Sequence, residues 1–153
     1  MPIFDDHEFR PVILGGDITA YTLVRTFHEA YRVRSIVVNM LQSGPIALSR
    51  LCDHHYVEGF EQENVFLSTL EEMAAAEHAA TGKRLLLVAA GDWYVRMIVE
   101  NKDRLSKHFI VPYIDVDLLN EIVLKDTFYE ILDRLALPYP KTVVLAVTSD
   151  DPV

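Results

Sequence analysis

A single cysteine, Cys52, stands in 153 residues, so no intrachain disulfide can form; with 50% hydrophobic residues a chain of this length buries a core without one. That suits a reducing cytosol, and a cytoplasmic location is expected. Positive charge is scarce: 14 Lys and Arg against 23 Asp and Glu leave a formal net charge of -9. The sign is wrong for neutralising a phosphate backbone or an anionic lipid surface, so neither nucleic acid nor a membrane is an expected partner. No run approaches the roughly 20 apolar residues of a membrane span. The opening MPIFDDHEFRP carries acids where a secretory signal has a basic segment followed by an apolar one. Internal repeats, low-complexity tracts and polar linkers are also missing.

Alternating strand and helix signals fill the chain. PVILGG (11–16) is an aliphatic run closed by two glycines, and from Ile18 the period changes: Ala20, Leu23, Val24, Phe27 and Tyr31 share one helical stripe, with Asp17 placed to cap it. RSIVVN (34–39) is the next strand. SGP (43–45) breaks the chain, and HHYVEG offers a short strand near 54–58. A helix is expected from Glu63 to about Ala80 with Phe66, Leu70, Met73 and Ala74 inward and Gly82 as C-cap. LLLVAAG (85–91) is apolar throughout, as a strand covered on both faces should be. DWYVRMIVENKDRLSKHF then reads as a helix with Val95, Ile98, Val99 and Leu105 inward, HFIVPYI as a short fifth strand, and DVDLLNEIVL as a helix with Leu118, Leu119, Ile122 and Val123 on its apolar side. Such alternation predicts a mostly parallel sheet with right-handed crossovers and helices on both faces, and ligands in such sheets sit beyond the carboxyl ends of the strands.

The closing stretch departs from this rhythm. Thr127 with Glu130 three residues on has the capping-box spacing, Phe128, Ile131, Leu132 and Leu135 form a helical stripe, and Pro138 and Pro140 end it. A helix starting near Asp126 is expected, then a strand in KTVVLAV whose partners are not evident, as if a second domain began here.

Three places could carry chemistry. Gly15-Gly16-Asp17 ends the first strand, where glycine lets backbone amides approach a ligand and the following helix offers N–H groups to an anion; the plainer reading is a tight turn with Asp17 as cap. Ser43-Gly44-Pro45 with Ser49 follows the second strand and could hydrogen-bond a polar substrate at the same edge, or be an ordinary turn. Lys125 precedes the expected capped helix, so its ammonium could reach an anionic ligand, although an exposed lysine is more often solvated surface. Gly91-Asp92 repeats the glycine-then-acid pattern, which helix capping explains.

Other chemistries find less. A dinucleotide site wants G-x-G-x-x-G and an acid ending the second strand; this chain has G-G-D-I-T-A and Asn39. There is no G-x-S-x-G nucleophile elbow, and at the third strand HHYVEG supplies only Glu58 as a phosphate-accepting acid. His54 and His55 point to opposite faces of a strand, and Cys52 with His54 gives only two ligands on one face, so no metal site is expected.

In order, PVILGGDITAYTLVRTFHEAY, SIVV, SGPIALSR, LLVAAGDWYVRMIVENKDRL and LKDTFYEILDRLALPYPKTVV resemble the N-terminal part of bacterial ATP-grasp carboxylate-amine ligases, including those similar to D-aspartate ligase. The resemblance runs from Pro11 to Val144 and rests on the ordered set. It implies a Rossmann-like three-layer α/β/α pre-ATP-grasp domain over residues 1–124 and the beginning of a truncated ATP-grasp domain over 125–153. It further implies ATP and Mg²⁺ as cofactors of the full-length enzyme, gripped by the remaining ATP-grasp subdomains, with a small carboxylate and an amine as substrates. A lysine of this segment in relatives such as biotin carboxylase touches the nucleotide phosphates; that role maps onto Lys125, with Pro138 matching the turn. Gly15, Gly16, Asp17, Ser43, Gly44 and Ser49 become the expected substrate-side residues. The chain alone is expected to fold without catalysing, and a homodimer is possible. The alternative is a stand-alone Rossmann-like module for a small molecule or a protein partner.

Overall fold

The structure, a computed structural model, describes residues 3–42 and 44–143. Five parallel strands form one sheet in the order β3-β2-β1-β4-β5: β1 (Phe9–Leu14), β2 (Ser35–Asn39), β3 (Cys52–Tyr56), β4 (Arg84–Ala89) and β5 (Phe109–Ile110). Helix α1 (Ile18–Tyr31) joins β1 to β2, α2 (Glu63–Thr81) joins β3 to β4, and α3 (Asp92–Glu100) with α4 (Lys102–Leu105) joins β4 to β5. The architecture is the expected Rossmann-like α/β one, with a sheet parallel throughout.

Strand alternation sorts the core into two layers. Val12, Leu14, Ile36, Val38, Leu85 and Leu87 point to one face and pack on Phe66, Leu70 and Ala74 of α2, Ile98 of α3 and Leu105 of α4. Ile13, Val37 and Cys52 point to the other and meet Ala20 and Val24 of α1 and Ile46 from the β2–β3 connection. Leu86 and Val88 on β4 are only half-buried, contrary to a strand covered on both faces. The reason is topological: on that side α1 lies over β1 and β2, and its Phe27 and Tyr31 reach only the margin of β4.

β1 begins two residues before the expected start, because Phe9 and Arg10 pair with Arg84 and Leu85. Pro11 is tolerated in this central strand since pairing with β2 starts only at Val12. The long helix expected over 92–109 breaks at Asn101, whose side-chain amide donates to the Met97 carbonyl at 3.1 Å and takes up an acceptor at the end of α3. Gly82 caps α2 in the left-handed conformation, with φ 67°.

The chain divides into two compact units, Met1–Tyr113 and Ile114–Val153. In the second, α5 (Val116–Val123) packs on α6 (Lys125–Arg134). Leu119 is buried while Leu118, Ile122 and Val123 are exposed, since two short helices cannot cover every apolar side chain of each other. The capping box is not formed: α6 starts at Lys125 with Leu124 as N-cap, so Thr127 lies within the first turn. After α6 the chain turns through Ala136 at φ 52°, and Tyr139 donates from its hydroxyl to Asp133 at 2.9 Å. The strand expected in 141–147 lies outside the described residues from 144 onward. Among the described residues no helix is long and apolar enough to cross a membrane.

Candidate functional site

The strand order reverses between β1 and β4: the chain steps from β1 outward to β2 and β3, then returns to the other side of β1. The loops leaving β1 and β4 must therefore part, opening a crevice at the carboxyl edge of the sheet. One wall is Gly15-Gly16-Asp17 and the other Ala90-Gly91-Asp92.

The two walls are pinned close together at their base. The Ala90 amide donates to the Leu14 carbonyl at 2.8 Å and the Gly15 amide to the Val38 carbonyl at 3.1 Å. Gly15 has φ 135°, and a Cβ there would stand 3.0 Å from the Ala90 Cβ and 3.3 Å from its carbonyl oxygen, so both space and backbone demand glycine. At Gly16 the constraint is steric alone: a Cβ would meet the Asn39 side chain at 2.9 Å. Asp17 caps α1, its carboxylate accepting from the Thr19 and Ala20 amides at 3.0 Å each. Those two N–H groups are consequently occupied by the protein's own carboxylate, not offered to an incoming anion.

Asn39, which sequence reasoning treated only as a missing acid, is the knot of this edge. It is 1% exposed. Its side-chain amide donates to the Gly15 carbonyl at 3.3 Å, and its side-chain oxygen accepts from the Leu41 amide at 2.6 Å. His54 Nε2 lies 3.3 Å from that same oxygen. One side chain thus ties the exits of β1, β2 and β3. Burial first, then the neighbouring His55, holds the His54 imidazole below its ordinary value. The signal in the sequence was a polar residue closing the aliphatic run Ile36-Val37-Val38.

Two phenols complete the setting. Tyr94 leans on Phe60, and burial, then the negative charges of Asp17 and Glu61, push its hydroxyl above the ordinary value. Beside it Trp93 is 40% exposed. Tyr113 accepts a 2.7 Å hydrogen bond from the Ala89 amide, an N–H left without a strand partner because β5 pairs with β4 only as far as Leu86.

The structure brings some of the expected residues together and separates others. Gly44 (φ 106°) folds back over the glycine turn, its Cβ position 3.6 Å from the Gly16 carbonyl. Ser43 lies outside the described residues. Ser49 is not at this edge. The β2–β3 connection crosses the sheet to reach the start of β3, and there the Ser49 hydroxyl accepts from the Leu51 amide at 3.1 Å. Lys125 is exposed as the first residue of α6, inside the helix and not before it. Cys52 is core: burial raises its thiol, and its neighbours are Ile13, Val37 and Ile46. Among the described residues no three His, Cys, Asp or Glu side chains gather to hold a metal ion.

Sheet order, crevice and glycine turn define a Rossmann-like α/β protein whose polar features converge where β1 and β4 part. No family model and no solved structure matches the chain. The chain is similar to the D-aspartate ligase of Enterococcus faecium (strain Aus0004), 34% identical over 145 residues that make up 95% of this chain and 34% of that protein. It therefore spans about a third of the length of this curated relative, and the likeness drawn from the ordered segments rests on nearly the whole chain.

Proposed function

We propose that the chain is the substrate-side α/β portion of an ATP-dependent carboxylate-amine ligase. The observation that carries this reading is the 34% identity extending through 95% of the chain, across both compact units. In the proposed reaction a carboxylate oxygen attacks the terminal phosphorus of ATP and ADP leaves. An amine then adds to the acyl phosphate and expels inorganic phosphate, leaving an amide.

The electrostatics of the carboxyl edge suit one part of that chemistry. The described residues following β1 to β4 at this edge include Asp17, Glu58, Glu61 and Asp92 and no Lys or Arg. Such an edge attracts an ammonium group and repels a polyphosphate. Its share of the work is to orient an amino-group-bearing substrate against the Gly15–Asp17 turn, Gly44 and Tyr94, while ATP is gripped by the ATP-grasp subdomains of the same polypeptide. Lys125, exposed at the start of α6, is the proposed contact to the nucleotide phosphates. Among the described residues no three metal-ligating side chains gather, and in this proposal the Mg²⁺ that accompanies ATP is held by the ATP-grasp subdomains.

Incubating the full polypeptide that carries this chain with ATP, D-aspartate and a panel of other amino acids and amines should release ADP only when both a carboxylate and an amine are present. Absence of ADP with every pair overturns the proposal. Lys125→Ala should raise KM for ATP about tenfold, the loss of about 1.4 kcal/mol of phosphate binding, with the fold intact. Unchanged ATP kinetics would remove Lys125 from the site without touching the rest.

A further inference from the structure

We propose that the opposite, amino-terminal edge of the sheet carries a second binding site, for a small, multiply charged anion. A cavity of about 380 Å³ opens there beneath β4 and β5, between the end of α2 and the turn after α4. Its polar lining is His78, Lys83, Arg84, Ser106, Lys107 and His108, over an apolar floor that includes Leu85 and Phe109. No described Asp or Glu lines it. A chain of net charge -9 has thus gathered three of its 14 Lys and Arg and two of its six His around one concavity. The volume is in the range of small-molecule sites, roughly 300–1,000 Å³.

The fold accounts for only part of this gathering. His78 lies in the last turn of α2 and Lys83 just beyond it, where cations offset the helix dipole. Lys83 also pairs with Asp6 at 2.8 Å, but Asp6 is 92% exposed and the pair is screened. Arg84, Lys107 and His108 make no side-chain hydrogen bond or ion pair among the described residues. Glu71 feels the charge of His108 and Lys107, yet both its oxygens are taken by Arg104, at 2.6 and 2.7 Å. Five cationic or hydrogen-bond-donating side chains therefore line a cavity to which no described Asp or Glu contributes, three of them, Arg84, Lys107 and His108, without a side-chain partner among the described residues. A guanidinium, two ammonium groups and two imidazoles recognise a compact polyanion, whether its charge comes from phosphate or from several carboxylates.

The site is independent of the proposed ligase chemistry. β4 runs from Arg84 at the cavity to Ala89 at the crevice, six residues or about 17–20 Å of strand. An anion bound below neither occupies nor obstructs the carboxyl edge, so the cavity suits an effector.

Calorimetric titration of the chain with inorganic pyrophosphate and, separately, with citrate tests the proposal, at an ionic strength low enough to leave surface charge unscreened. Saturable binding of at least one is expected, and the preferred anion separates a phosphate from a polycarboxylate source. Arg84→Gln with Lys107→Gln should weaken it about tenfold or more. A control with the same change in net charge, Arg25→Gln with Arg50→Gln, should leave it within about twofold. All four side chains are exposed, and unchanged urea midpoints confirm that the variants fold. No saturable binding of either anion, or equal weakening by the control pair, overturns the proposal.

Discussion

Asn39 and His54 show how a buried polar residue shapes an edge otherwise governed by glycine. A buried asparagine must spend its donor and acceptor internally, and here they fasten the Gly15 carbonyl and the Leu41 amide. His54 completes the set, and its depressed imidazole carries a consequence for pH. The unfolded chain takes up the proton near the ordinary value of 6.5, whereas the folded chain resists until the pH is lower. Between those two values the unfolded state binds more protons, so stability falls on acidification through that window and is recovered as pH rises above it. Urea midpoints measured from pH 5 to 8 should therefore increase with pH, and His54→Gln should flatten part of that slope. An identical slope in the variant would exclude His54 as its source. Of these residues only Gly15, Gly16 and Asp17 stood out in the sequence. Asn39 and His54 did not, because their roles depend on pairing between strands 17 to 24 positions apart in the chain.

At the level of elements, β4 is held differently at its two ends. Its first half pairs with β1 on one side and β5 on the other, but β5 has two residues and stops. The Tyr113 hydroxyl then stands in for the missing strand at the Ala89 amide. Tyr113→Phe should cost about 1 kcal/mol of stability through that unpaired N–H, read as a lowered urea midpoint. Hydrogen exchange should accelerate at Ala89 more than at Leu87; equal protection at both would mean that water replaces the phenol at no cost. Away from β4, the amino edge of the sheet is tied by charge. Arg10 on β1 reaches Asp53 on β3 and Glu77 on α2, the latter at 2.7 Å, and donates to the Arg34 carbonyl at 3.0 Å. Elements with a continuous period, α1, α2 and β4, were legible within a residue or two. The break at Asn101 and the replacement of the expected Thr127 cap by Leu124 were not, since each depends on local hydrogen bonding that an apolar stripe does not encode.

For the whole first unit, positive charge is concentrated at one edge of the sheet. Arg34, Arg50, Lys83, Arg84, Lys107 and His108 stand at the amino edge or just before its strands, mixed there with Asp6, Glu8 and Asp53, whereas the carboxyl edge presents Asp17, Glu58, Glu61 and Asp92. A parallel sheet makes this possible, because every strand begins at one edge and ends at the other. Both core layers and all five strands lie within Met1–Tyr113. Residues 1–113 expressed alone should accordingly keep the far-ultraviolet dichroism of an α/β protein and unfold in one cooperative transition. A broad, non-cooperative transition would show that the first unit depends on the second.

The alternation of aliphatic runs with amphipathic stripes was sufficient by itself to determine the parallel α/β architecture, because strand period, helix period and right-handed crossover are local or nearly local rules. The same holds for the Asp17 cap and for Gly82. Which residues share an edge was decided only by the tertiary structure. Strand order put Gly15 against Ala90, Asn39 beneath Gly16 and Lys107 beside Arg84, and it carried Ser49 to the far end of the sheet. Sequence spacing records distance along the chain, and a five-stranded sheet brings positions dozens of residues apart into contact through pairings that no short motif specifies.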